Sequence, residues 1–103
     1  MPDEKLDALA QMMAAHMARP FPPGLRGLDV EGRDMVMLDS DAYAYAACVH
    51  DGMPSEQTHG QLTRLTSAFA KVLPAIHDEY AATYYTHLHT MVMLSAEIES
   101  QRT

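Results

Sequence analysis

The stretch DEYAATYYTHLHTMVMLSAEIESQ, residues 78–101, decides the fold. At helical spacing it places Tyr80, Tyr84, His87, Met91, Leu94 and Ile98 at intervals of 4, 3, 4, 3 and 4, and His77 extends the stripe upstream. Residues three and four apart share one face of an α-helix, so this period predicts a long amphipathic helix. Two properties set it apart. Polar-tipped tyrosine and histidine stand where a core stripe should be, and no lysine or arginine occurs in the stretch.

Buried Tyr and His need hydrogen-bond partners for their polar ends. The stripe therefore calls for an internal network, a wet cavity or a subunit interface. The opposite face, Ala81, Ala82, Thr83, Thr86, Thr90 and Ala96, is small and uncharged, whereas a solvated helical face carries Lys and Glu. Such a helix is expected to be covered on more than one side, and the simplest cover for a small helical chain is a second copy of itself.

Working outward, residues 3–18 read as a first helix with Asp3 as N-cap, Arg19 at its end and a stripe of Leu6, Leu9, Met13 and Met17, with His16 beside it. Arg-Pro-Phe-Pro-Pro-Gly at 19–24 stops it, because three prolines in four positions cannot continue a helix. This is a stiff connector with Phe21 turned to the core. Residues 25–38 admit two readings. Leu28 and Val30 alternate with polar residues, and Glu31-Gly32 can turn the chain into Asp34-Met-Val-Met-Leu38, making a short hairpin. The favoured rival is one helix from about Arg33 to His50, with Met35, Leu38, Ala42, Tyr45, Ala46 and Val49 on one face and Gly52 as its stop. A third helix follows, with Ser55 as candidate N-cap and Leu62, Leu65, Phe69, Val72 and Ile76 inward. Pro74 predicts a break near residues 73–77, and Asp78 caps the last helix.

The 103 residues form one domain, residues 1–24 supplying the first helix and connector and residues 25–103 the helical core. With 48% apolar residues one core is feasible, though a chain this short has little stability to spare. Fourteen acids against seven bases give a net charge of −7, and the bases are scattered singly along the sequence. That argues against nucleic acid, which requires a basic stripe, and against an anionic membrane surface. The single cysteine, Cys48, excludes an intrachain disulfide, and its apolar neighbours read as those of an inert, buried thiol. The chain shows neither signal-peptide features nor an apolar run long enough to span a bilayer, so a cytoplasmic setting is expected.

Three constellations could carry chemistry. Met35-Val-Met-Leu-Asp39-Ser40-Asp41 resembles the opening motif of haloacid-dehalogenase-type phosphatases, and the resemblance implies Asp39 as nucleophile and Asp41 as acid/base at the end of a parallel strand. It stops after those seven residues: the chain is too short for that α/β fold and lacks the later acidic cluster. The expectation is that Ser40 or Asp39 caps a helix, or that the acids face solvent. The six histidines form no pair at i,i+3 or i,i+4; His87 and His89 lie roughly 200° apart on a helix. No metal site, cofactor or catalytic residue is therefore assigned. The remaining constellation is the stripe itself, with His77, Tyr80, Tyr84, His87 and Met91 as the candidate ligand or interface residues.

The run Pro20-Phe-Pro-Pro-Gly-Leu-Arg-Gly27, with Met35-Val-Met-Leu-Asp39 and the Ala-rich approach to Cys48, resembles a group of small actinobacterial helical proteins of uncharacterised function. The likeness implies a mainly helical fold and a bacterial cytoplasmic setting, and no activity.

The expected fold is all-α, a compact bundle of three to four helices with room for a short β-hairpin near residues 28–37. The expected function is a non-enzymatic interaction or accessory protein, a homodimer through its C-terminal helix with room for another protein partner. The alternatives are a binder of a small apolar or aromatic ligand in a Tyr/His/Met-lined pocket, and a metal-binding protein or enzyme using His77, His87 and a carboxylate such as Glu79.

Overall fold

The computed structural model describes residues 2–52 and 56–101, without the side chains of Pro2, Asp3 and Glu56. Among the described residues the chain is all-α, with four helices: α1 (Pro2–Met17), α2 (Met35–His50), α3 (Glu56–Val72) and α4 (Glu79–Gln101). A two-stranded antiparallel hairpin, β1 (Asp29–Val30) and β2 (Arg33–Asp34), precedes α2. Both readings of residues 25–38 thus hold in part. The hairpin occupies 29–34, so the second strand expected over 34–38 is helical from Met35 onward, and the helix starts two residues later than the favoured reading placed it.

The hairpin exists because its two-residue turn, Glu31 at φ 51° and Gly32 at φ 78°, puts both central residues at positive φ. That is the backbone twist that joins short antiparallel strands. Asp34 then ends β2 and caps α2, accepting a hydrogen bond from the Met37 amide at 3.0 Å. At its far end α2 stops at Gly52, whose φ of 73° a residue with a Cβ adopts only at a cost. The predicted cap Ser55 lies outside the described residues, as does the side chain of Asp3; the backbone of α1 already begins at Pro2. Pro74 sits in a single 3₁₀ turn, Leu73–Ala75, which separates α3 from α4. Asp78 caps α4 as expected, its Oδ2 accepting from the Ala81 amide at 2.9 Å.

α4 is the centre of the bundle. α1, α2 and α3 all pack on it, while α1 and α3 flank it and scarcely meet. Three links along α4 run in reverse order down α1 and the connector after it, Glu97 to Lys5, His87 to Met12 and Tyr80 to Pro20, so the two helices are antiparallel. Ala81, Tyr84, Tyr85, Leu88, Met91, Val92, Ser95 and Ile98 are buried, an arc broader than one stripe. The heptad-like pattern found Tyr84, Met91 and Ile98 and passed over Tyr85, Leu88 and Val92, which are fully buried. α2 contributes Met35, Leu38, Ala42, Ala46 and Val49 to the core, and α3 contributes Leu62, Leu65, Ala68, Phe69 and Val72.

The first helix departs from its predicted stripe. Leu9 is buried, but Met17 is 68% exposed and His16 takes its place inside at 6%. Spacings of three and four both keep a residue on one face, so Leu9-Met13 is continued equally well by His16 or Met17. Tertiary partners settle it in favour of His16. Cys48 is half-buried rather than buried.

Replacing Asp78 by Ala removes the cap from the helix that the other three pack against. Urea denaturation is expected to show a loss of about 1 kcal/mol with an unchanged m-value.

Candidate functional site

The polar residues of α4 find their partners within the chain. Tyr84 donates its hydroxyl to Asp39 Oδ2 at 2.5 Å, and the other carboxylate oxygen, Oδ1, lies 2.7 Å from His16 Nε2. These lengths belong to charge-assisted hydrogen bonds. An ionised carboxylate only accepts, so His16 Nε2 carries the proton. One side chain of α2 thus ties α1 to α4, across sequence separations of 23 and 45 residues.

Rings enclose the cluster. His16 lies 5.0 Å from the Tyr84 ring and 5.9 Å from that of Tyr43, and Phe21 meets Tyr84 edge-on at 5.8 Å. Phe21 therefore turns inward from the proline connector as expected, with the Arg26 guanidinium 5.3 Å above its ring. Side-chain exposure is 6% for His16 and 14% for Asp39. His16 Nδ1 is buried without a hydrogen-bond partner.

This placement corrects the reading of the Asp-x-Asp motif. Asp39 neither caps a helix nor faces solvent; it is held between His16 and Tyr84 inside α2, and the cap is Asp34. Nor do these residues lie at the end of a strand, as the phosphatase-type motif would require. Asp41 is exposed, in line with expectation.

The other candidates scatter along the α1–α4 seam and into the core. Tyr80 is 43% exposed and donates to the Pro20 carbonyl at 2.6 Å. His87 Nε2 lies 2.9 Å from the Met12 carbonyl, and because a carbonyl only accepts, that nitrogen is protonated. Met91 is fully buried and His77 is exposed. The stripe is therefore largely a seam between helices of one chain. Among the described residues no group of three His, Cys, Asp or Glu side chains is arranged to hold a metal ion.

Two further residues escaped the periodicity. Tyr85, fully buried, donates to the Met35 carbonyl at 2.7 Å, where α2 begins. His89 stacks on Phe69 of α3 at 5.7 Å and 15°, with its Nε2 buried and unpaired. Tyr84 and Tyr85 follow one another in sequence and serve different neighbours, a division that a single-stripe reading of the helix misses.

Burial shifts these groups. The Tyr84 phenol is held well above its ordinary range by burial first, then by its hydrogen bond to Asp39 and that carboxylate's charge. Tyr85 is raised by burial, with Asp39 and Asp34 adding to it. The His89 imidazole is lowered by burial, which disfavours its charged form.

The chain matches no family model, no curated protein and no solved structure.

Tyr84→Phe deletes one bond to a charged acceptor and leaves Asp39 Oδ2 without its donor, so a loss of about 2 kcal/mol is expected from denaturant unfolding. Below about pH 10 the phenol keeps its proton in both states; above it the unfolded chain loses the proton first, and stability falls as pH rises. The variant is expected to flatten that alkaline decline, while Tyr85 sustains the rest of it.

His89 acts at the other end of the scale. Above about pH 6.5 its imidazole is neutral in both states and adds nothing to the pH dependence. Below that value the unfolded chain takes up the proton first, so stability falls until the folded site titrates too. Melting curves of His89→Phe across this range are expected to fall less steeply than those of the parent chain.

Proposed function

We propose that this chain is a non-enzymatic helical interaction module that pairs with a second copy of itself through the outer face of α4. The observation that carries the reading is the composition of that face. With α1, α2 and α3 seated on three sides, α4 leaves Thr83, Thr86, Thr90 and Met93 outward, at intervals of 3, 4 and 3. No Asp, Glu, Lys or Arg occurs between Glu79 and Glu97. Met93 is 44% exposed. Small uncharged side chains let two helices approach closely, and a single self-complementary patch is what a two-fold dimer requires.

The polar cluster supports the non-enzymatic part of this reading. Both oxygens of Asp39 already have partners, and the free nitrogen of His16 is sealed from solvent, so neither group is placed to exchange a proton with a substrate. A pocket for an apolar ligand built on Tyr80, Tyr84 and His87 gains little support, since each of the three is hydrogen-bonded to its own chain. The described helices include none long and apolar enough to cross a membrane.

Sedimentation equilibrium at tens of micromolar is expected to give a dimer mass. The double substitution Thr86→Lys with Met93→Lys places like charges across the two-fold axis and is expected to give a monomer that keeps its helical circular dichroism. A parent chain that sediments strictly as a monomer overturns the proposal.

A further inference from the structure

The hairpin and α3 enclose a cleft of about 250 Å³ on a different part of the surface from the α4 face. Three of the seven Lys and Arg residues in the chain line it: Arg33 from β2, and Arg64 and Lys71 from α3. Arg64, Ser67, Ala68 and Lys71 follow one another at helical spacing, which sets both bases and a hydroxyl on one face of α3 within roughly 10 Å. The positive-φ turn at Glu31-Gly32 sends β2 back and brings Arg33 opposite them.

The floor and rim of the cleft differ in character. Ala68 and Val72, 4% and 0% exposed, close it from below, while the three bases stand exposed at its edge. None of these bases forms an ion pair among the described residues, although Lys5 does so with Glu97. Glu31 is the single acid in the lining, so the cleft is positive in a chain whose net charge is −7. Three unpaired cations held together repel one another, and a bound anion would relieve that repulsion.

We infer that this cleft binds the phosphate group of a small soluble molecule. Two guanidinium forks and an ammonium match phosphate oxygens in geometry and charge, and Ser67 adds a hydroxyl donor. The net charge favours a small ligand over an extended polyanion. A nucleic acid or anionic bilayer would meet the negative body of the protein, whereas a small molecule inside the cleft feels mainly charges within a Debye length of about 8 Å. The inference does not depend on how α4 is covered.

The test is a titration of the whole ¹⁵N-labelled chain with sodium pyrophosphate at constant ionic strength. Saturable amide shifts over residues 31–33 and 63–72, half-complete below about 1 mM, are expected. Arg64→Gln is expected to weaken binding by about tenfold or more, and Arg19→Gln, a base outside the cleft, to leave it unchanged. Lys71→Gln serves in its place if Arg64→Gln melts early. Shifts that do not saturate, or that persist in both cleft variants, overturn the assignment. A second arm uses phosphatidylserine vesicles: co-sedimentation that needs Arg64, with no saturable response to pyrophosphate, reassigns the cleft to a lipid headgroup surface and overturns the small-molecule reading.

Discussion

A helix buried over a broad arc of its surface cannot remain at the edge of a small protein, and the structure follows from that constraint on α4. Its buried residues sweep an arc of roughly 140°, from Ile98 through Leu88 to Tyr85, wider than any single neighbouring helix covers. Three helices share that arc, and all three precede α4 in the chain. α3 arrives through the tight 3₁₀ turn at Pro74, which reverses the chain directly onto α4. The proline connector leads out of α1 toward the hairpin, and on the way it sets Phe21 against Tyr84 and Tyr85 of α4.

Once α4 is central, its polar side chains are drawn inside and have to be satisfied there. Asp39 does most of this for the α1–α2–α4 junction. An ionised carboxylate at 14% exposure is costly unless its lone pairs are occupied, and His16 and Tyr84 occupy one oxygen each. Such directional bonds add register that apolar packing lacks: a helix turned by one residue would still bury methyl groups, but would leave Asp39 unpaired. The satisfaction is incomplete, because His16 Nδ1 and His89 Nε2 are buried without partners. These two atoms mark where packing outweighed polar pairing.

Much of the fold was legible residue by residue. Asp78 as a cap, Pro74 as a break, Gly52 as a stop and the inward face Met35, Leu38, Ala42, Ala46 and Val49 follow from local rules that act over one or two turns. The candidate site was far less so. Tyr84 was singled out for a polar end that needed a partner, but Asp39 drew notice only through a phosphatase-like motif, and His16 only as a neighbour of Met17. Their contact joins positions 23 and 45 residues apart, and no local pattern encodes that pairing. Likewise, Tyr85 lies outside the single stripe that the 3–4 spacing defines, because α4 is buried along a broader arc.

By itself the sequence determined the all-α class, a count of three to four helices with their approximate limits, and the expectation that residues 78–101 are covered on more than one side. It could do so because periodicity, capping and proline act through the backbone near each residue. Only the tertiary structure decided what does the covering: three helices of the same chain seat the buried arc, leaving an outer face of Thr83, Thr86, Thr90 and Met93. It also decided that bases scattered singly along an acidic chain, Arg33, Arg64 and Lys71, share one cleft. Both outcomes depend on which distant surfaces meet, and that is settled by the joint burial of side chains far apart in sequence.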